Sequence, residues 1–102
     1  MTYIFIYRTG NTPLTEEQKE KNRQVWDTWN AYLKETYGIR TSGGKIVSAE
    51  KVEDYKGNFK GASIIEANSL DEAVEIAKKS PTVKYGGTVE VLEEFQRWKE
   101  NC

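Results

Sequence analysis

The 102-residue chain balances 15 Lys and Arg against 16 Asp and Glu, a net charge of −1, with 37% apolar and 30% charged residues. That length sets an expectation of a single domain over residues 1–102, with a modest core that gains from a partner covering more of its surface. The charge balance lacks the basic stripe that nucleic acid or an anionic membrane requires, so neither is an expected partner, and a small molecule or a protein is.

The first predicted strand is TYIFIYR at 2–8, with Tyr3, Phe5 and Tyr7 on one face and Ile4, Ile6 and Arg8 on the other. Both faces are apolar, so both are expected to be covered. This run is also the longest apolar one, far too short to span a bilayer. No basic and apolar leader precedes it, and a cytoplasmic protein is expected. After a GNTP turn, Thr15 and Gln18 form a capping box that opens a helix predicted over 16–37, with Gly38 as its stop. At about 100° per residue, Trp26, Trp29, Leu33 and Tyr37 fall within roughly 80° of one another, flanked by Val25 and Tyr32. The segment IRTSGGKIVSA, 39–49, reads as a strand interrupted by Gly43 and Gly44.

A turn around Lys56 and Gly57 leads into a strand over 58–67, whose small residues Gly61, Ala62 and Ser63 leave space above the sheet. Ser69 and Glu72 predict a second capping box, opening a helix with Leu70, Ala73, Val74 and Ala77 on one face and Pro81 marking its end. Gly86 and Gly87 precede a last strand over 88–95, with Val89, Val91 and Phe95 on one side and Thr88, Glu90 and Leu92 on the other. Towards the C-terminus, Glu93 and Glu94 with Lys99 and Glu100 read as a solvated tail, with Phe95 and Trp98 folding back onto the domain or a partner chain.

The order strand, helix, strand, strand, helix, strand is the α+β, ferredoxin-like βαββαβ arrangement, a four-stranded antiparallel sheet with two helices on one face. Those helices cover only that face. The other carries half of the apolar side chains of the first strand towards water, and a homodimer packed sheet to sheet is the expected remedy.

The chain has no histidine, and its single cysteine, Cys102, is the last residue. No zinc, copper or non-haem iron site is therefore expected, and no cofactor. Ser-His-Asp and Cys-His chemistry is excluded, leaving carboxylates, Lys, Tyr or the backbone to move protons. Cys102 reads as a solvated tail thiol. Asp27, between the tryptophans, points away from their arc and sits one turn after Arg23, so it reads as half of a solvated i,i+4 pair.

No catalytic residue is assigned. The candidate ligand-binding residues are Arg8, Tyr3, Tyr7, Trp26, Trp29, Asn30, Lys45 and Tyr85. Arg8 is suited to a bidentate grip on an anionic group, against the plainer reading of a solvated strand end. Tyr3 and Tyr7 offer phenol donors in an apolar cleft, or simply pack. Trp26 and Trp29 read first as core packing and second as a stacking surface, with Asn30 at the rim. Lys45, beside the paired glycines, and Tyr85, before Gly86, are placed at a cleft mouth.

The sequence resembles the YCII-related family of the dimeric α/β-barrel superfamily. The resemblance rests on YIFIY, WDTW, SGG at 42–44, SLDEA at 69–73 and SPTVKYGGTVEV at 80–91, which together span nearly the whole chain. It implies a sheet-to-sheet dimer with a cleft. It supplies no reaction, because the acid-base pair proposed for some members begins with a histidine on the first helix, and haem-binding relatives also need a histidine. The Asp-Gly-Pro-Phe segment of a sister branch is replaced by EDYKGNFKG at 53–61. Two classes of function follow. One is a dimeric small-molecule-binding domain with a cleft on the sheet. The other is a cofactor-independent isomerase, decarboxylase or monooxygenase acting on a small aromatic or carbonyl compound.

Overall fold

A computed structural model describes residues 1–10, 15–33 and 35–95, without the side chains of Asn22, Asn30, Glu35 and Thr36. Most of the GNTP turn, and the Trp98, Lys99, Glu100 and Cys102 readings, lie outside the described residues. Strand β1, Thr2–Arg8, alternates as expected: Tyr3, Phe5 and Tyr7 are 0%, 0% and 3% exposed, whereas Ile4, Ile6 and Arg8 are half-buried. It pairs antiparallel with both β5, Phe59–Glu66, and β6, Thr88–Glu93, and β5 pairs in turn with β2, Glu35–Arg40. The sheet order β2-β5-β1-β6 is that of the ferredoxin-like fold.

Helix α1, Glu16–Tyr32, starts at the expected capping box: Thr15 Oγ1 accepts from Gln18 N at 3.1 Å and Gln18 Oε1 accepts from Thr15 N at 2.9 Å. Its end differs from expectation. Leu33 turns extended as the C-cap and is buried, while Tyr37 and Gly38 belong to β2, paired with Ile64 and Ser63. Aromatic Tyr37 and β-branched Thr36 and Ile39 favour a strand, and the free edge of β5 offers backbone partners that a longer helix would leave unpaired.

The expected strand over 39–49 is likewise divided. β2 stops at Arg40. Gly43, at φ 119°, then turns the chain into a separate hairpin of β3, Lys45–Val47, and β4, Val52–Asp54. An L side chain is strained at that φ, which explains the glycine. The hairpin exposes Ile46, Val47 and Val52, and two strands alone are marginal. Tyr55 anchors its base, its hydroxyl accepting from Phe59 N at 2.9 Å.

Helix α2, Leu70–Ala77, buries Ala73 and Ala77 in the cluster formed by Tyr3, Phe5, Ile65, Trp29 and Leu33. Leu70, expected on the same face, is exposed. The second capping box is one-sided: Ser69 Oγ accepts from Glu72 N at 3.1 Å, but the Glu72 carboxylate takes Asn68 Nδ2 at 3.0 Å. Pro81 does not mark the end of this helix. It opens the short helix α3, Pro81–Lys84, capped by Ser80, in the position where a missing N–H costs nothing. On β6, Val89 and Val91 pack against the core as expected, but the strand stops at Glu93 and Phe95 is 92% exposed.

The Cα envelope measures 47 × 42 × 18 Å, and its thin dimension is that of one helix layer on one sheet. The far side of the sheet presents Ile4, Ile6 and Ile64 half-buried, with Tyr37, Ile39 and Leu92 exposed.

Candidate functional site

The site grows from the contact between α1 and strand β5. The inward residues of β5 run Gly61, Ser63, Ile65, each two apart, and all three are buried. Above them, α1 presents Lys19, Arg23, Trp26, Trp29 and Leu33, spaced four, three, three and four residues apart on one stripe. Towards Ile65 the two layers close. Towards Gly61 they do not, because Gly61 and Gly38 supply no side chain to fill the gap. Gly61 has no room for one: a Cβ there would sit 2.3 Å from the Ile39 carbonyl oxygen, so the strands approach closely beneath an open floor.

The result is a cavity of about 330 Å³. Tyr7, Trp26, Gly38, Gly61 and Ser63 form its floor and inner wall, and Lys19, Arg23, Arg40, Thr41 and Lys60 surround it. The Tyr7 hydroxyl donates to Ser63 Oγ at 2.8 Å and accepts from Trp29 Nε1 at 3.4 Å. Trp26 meets the Tyr7 ring at 5.1 Å and 88°, the edge-to-face geometry that aromatic pairs prefer. A buried hydroxyl pair thus stands at the back of an aromatic cleft with a cationic entrance. A second, shallower groove runs between α1 and α3 past Val25, Thr28, Trp29 and Tyr32, without converging charges of this kind. Among the described residues, no group of three or more Cys, Asp or Glu is arranged to hold a metal, and no helix is long and apolar enough to cross a membrane.

The model of the YCII-related domain matches residues 1–97. The chain belongs to the YCII-related family. Among solved structures, it is similar to 5-chloro-2-hydroxyhydroquinone dehydrochlorinase (TftG) from Burkholderia phenoliruptrix AC1100 in complex with 2,5-dihydroxybenzoquinone. The two are 23% identical over 100% of each chain, with a TM-score of 0.64. That likeness establishes a shared fold. No protein with a curated description matches the sequence.

Within this YCII-related fold, the structure brings together only part of the set expected from sequence. Tyr7 and Trp26 line the cavity, and Trp29 lies buried behind it, joined through the Tyr7 hydroxyl. The side chain of Asn30 lies outside the described residues. Tyr3 is at the far end of β1, where its hydroxyl donates to Met1 Sδ at 3.8 Å. Burial pushes its phenol pKa up, and the charges of Glu93 and Glu72 act in the same direction.

Arg8 points to the opposite face of the sheet. Its Nε donates to Glu90 Oε1, its Nη1 to Asn58 Oδ1 at 3.3 Å, and its guanidinium stands 5.8 Å from the Phe59 ring centroid. The hydrogen bond to Glu90 raises its pKa further. Lys45 is on the β3–β4 hairpin, paired with Asp54. Tyr85 caps α3, beneath the Lys84 ammonium. Asp27 is exposed, and Arg23 pairs with Glu20 at 3.6 Å instead of Asp27.

Sequence reasoning missed Lys19, Arg23, Gly38, Arg40, Thr41 and Lys60. A signal for two of them was present: counting back from Trp26 along the sheet-facing stripe reaches Arg23 and then Lys19.

Proposed function

We propose that this YCII-related chain binds a small molecule in the cleft between α1 and the β2–β5 side of the sheet. The observation that carries this reading is the cavity itself. It lies at the small end of the range of about 300–1,000 Å³ typical of ligand sites, and it combines aromatic walls with the hydroxyls of Tyr7 and Ser63. The one-ring quinone held by the structurally similar dehydrochlorinase is of the size such a cleft would take. A one-ring fragment set titrated into ¹⁵N-labelled protein is expected to shift the Gly38 and Gly61 amides and the Trp26 indole saturably. Fragments that bind only elsewhere would remove the reading.

The binding unit in this reading is a homodimer. The support is the open sheet face, where Tyr37, 61% exposed, and Ile39 on one edge strand and Leu92 on the other leave an apolar surface that twofold pairing would cover. Light scattering at micromolar concentration should return twice the mass of the chain. A stably folded monomer would rule the pairing out.

A second reading, a cofactor-independent enzyme acting on a small aromatic or carbonyl compound, draws on the Tyr7–Ser63 hydroxyl pair at the cavity wall. A phenol positioned this way is a proton-transfer group in a chain without histidine. Incubation with di- and trihydroxybenzenes in D₂O, followed by NMR, is expected to give ring-proton exchange that is lost in Tyr7→Phe. Exchange no faster than in buffer, across that set, counts against this reading.

A further inference from the structure

We infer that the cleft selects a planar one-ring anion, carboxylate or ionised phenol, with its charge at the Arg23–Arg40 side and its ring against Trp26 and Tyr7. This rests on the cleft being a ligand site, and it names the ligand class. Of the described residues that line the cavity, four are cationic, Lys19, Arg23, Arg40 and Lys60, and none is a carboxylate. In a chain with 15 basic and 16 acidic residues, that segregation is local to the cleft. Like charges gathered around a concave wall repel one another unless an anion lies between them.

The placement of these cations follows from the fold. Lys19 and Arg23 are one turn apart on the stripe of α1 that elsewhere seats Trp29 and Leu33 on the sheet, so they reach over the unfilled floor. Arg40 pairs in register with Gly61 and Gly38 with Ser63, and partners in register share a face, which puts Arg40 beside that floor. Lys19 and Arg23 hold Glu16 and Glu20 through exposed i,i+3 pairs at 3.2 and 3.6 Å, contacts weak enough to be exchanged for a ligand. Arg40 has no ion-pair partner among the described residues. A guanidinium fork meets a planar oxyanion with two parallel hydrogen bonds, and the indole of Trp26 offers the ring a flat neighbour.

The test compares benzoate, its neutral isostere benzamide, and inorganic phosphate by ¹H–¹⁵N NMR titration of the full chain. Benzoate is expected to shift the Gly38, Gly61 and Trp26 indole resonances with an affinity about tenfold above that of benzamide, and above that of phosphate. In Arg40→Gln, and independently in Arg23→Gln, benzoate binding should weaken severalfold more than benzamide binding, so that the preference for benzoate shrinks. Equal affinity for benzoate and benzamide, or a preference untouched in both variants, overturns the charge selection and leaves the cleft as a ligand site. Phosphate binding as tightly as benzoate overturns the ring. If neither benzoate nor benzamide moves the cleft resonances, the inference falls together with the binding reading beneath it.

Discussion

The two ends of the α1–β5 contact are built from the same pair of elements and reach opposite outcomes. At one end Ile65 meets Leu33 and Trp29 in the buried cluster with Tyr3, Phe5 and Ala73. At the other, Gly61 lies beneath Arg23 and Lys19, and the layers stay apart around a cavity. Between them Ser63 takes the Tyr7 hydroxyl, a polar contact midway between a filled position and an empty one. A strand that steps inward as glycine, serine, isoleucine therefore grades a helix–sheet contact from open to closed without any change of backbone architecture.

That contrast should break first at the closed end. Ile65→Ala removes a fully buried branched side chain where its neighbours are already packed, and is expected to destabilise the fold by about 2–5 kcal/mol in urea denaturation. A loss below 1 kcal/mol would mean the closed end is not closed. Tyr7→Phe, in the middle, should cost about 1–3 kcal/mol, because it strips the Trp29 indole N–H and Ser63 of the hydroxyl that joins them. Arg23→Ala, at the open end, should stay within about 0.5 kcal/mol of wild type, since its contact with Glu20 is an exposed pair. A large loss from Arg23→Ala would make it a structural element of the layer contact.

The sequence disclosed the closed end better than the open one. Alternation in β1 and β5 and the Thr15 cap are local patterns with local causes, and the small residues at 61–63 already pointed to space above the sheet. The end of α1 was not legible, because Leu33 and Tyr37 continue the helical stripe as well as they begin a strand. The choice was made by the hydrogen-bonding edge of β5, which no local pattern contains. Lys19 and Arg23 were hidden for a similar reason. A basic residue on a helix is normally solvated, and it becomes a cavity wall only through what lies opposite, here Gly61 and Gly38. The same limit hid the engagement of Arg8, whose guanidinium is taken by Glu90, a partner distant in sequence, on the other face of the sheet.

The smallest expected effect at neutral pH belongs to Tyr3, at the closed end, and it emerges only in alkali. The raised pKa of its phenol means that the folded chain holds the proton more tightly than the unfolded chain, in which tyrosine ionises near pH ~10. The stabilising contribution is complete below that pH. As the pH rises from there towards the folded-state pKa, the unfolded chain has already released the proton while the folded chain keeps it, so the unfolded state binds fewer protons and stability falls. Phenylalanine has nothing to release. The urea midpoint of Tyr3→Phe should therefore match wild type closely near pH 7, since among the described residues the hydroxyl gives up just a weak hydrogen bond to the Met1 sulfur, and should decline less steeply above about pH 10. Parallel alkaline profiles for the two proteins would place the Tyr3 phenol in contact with water, and with it that end of the core.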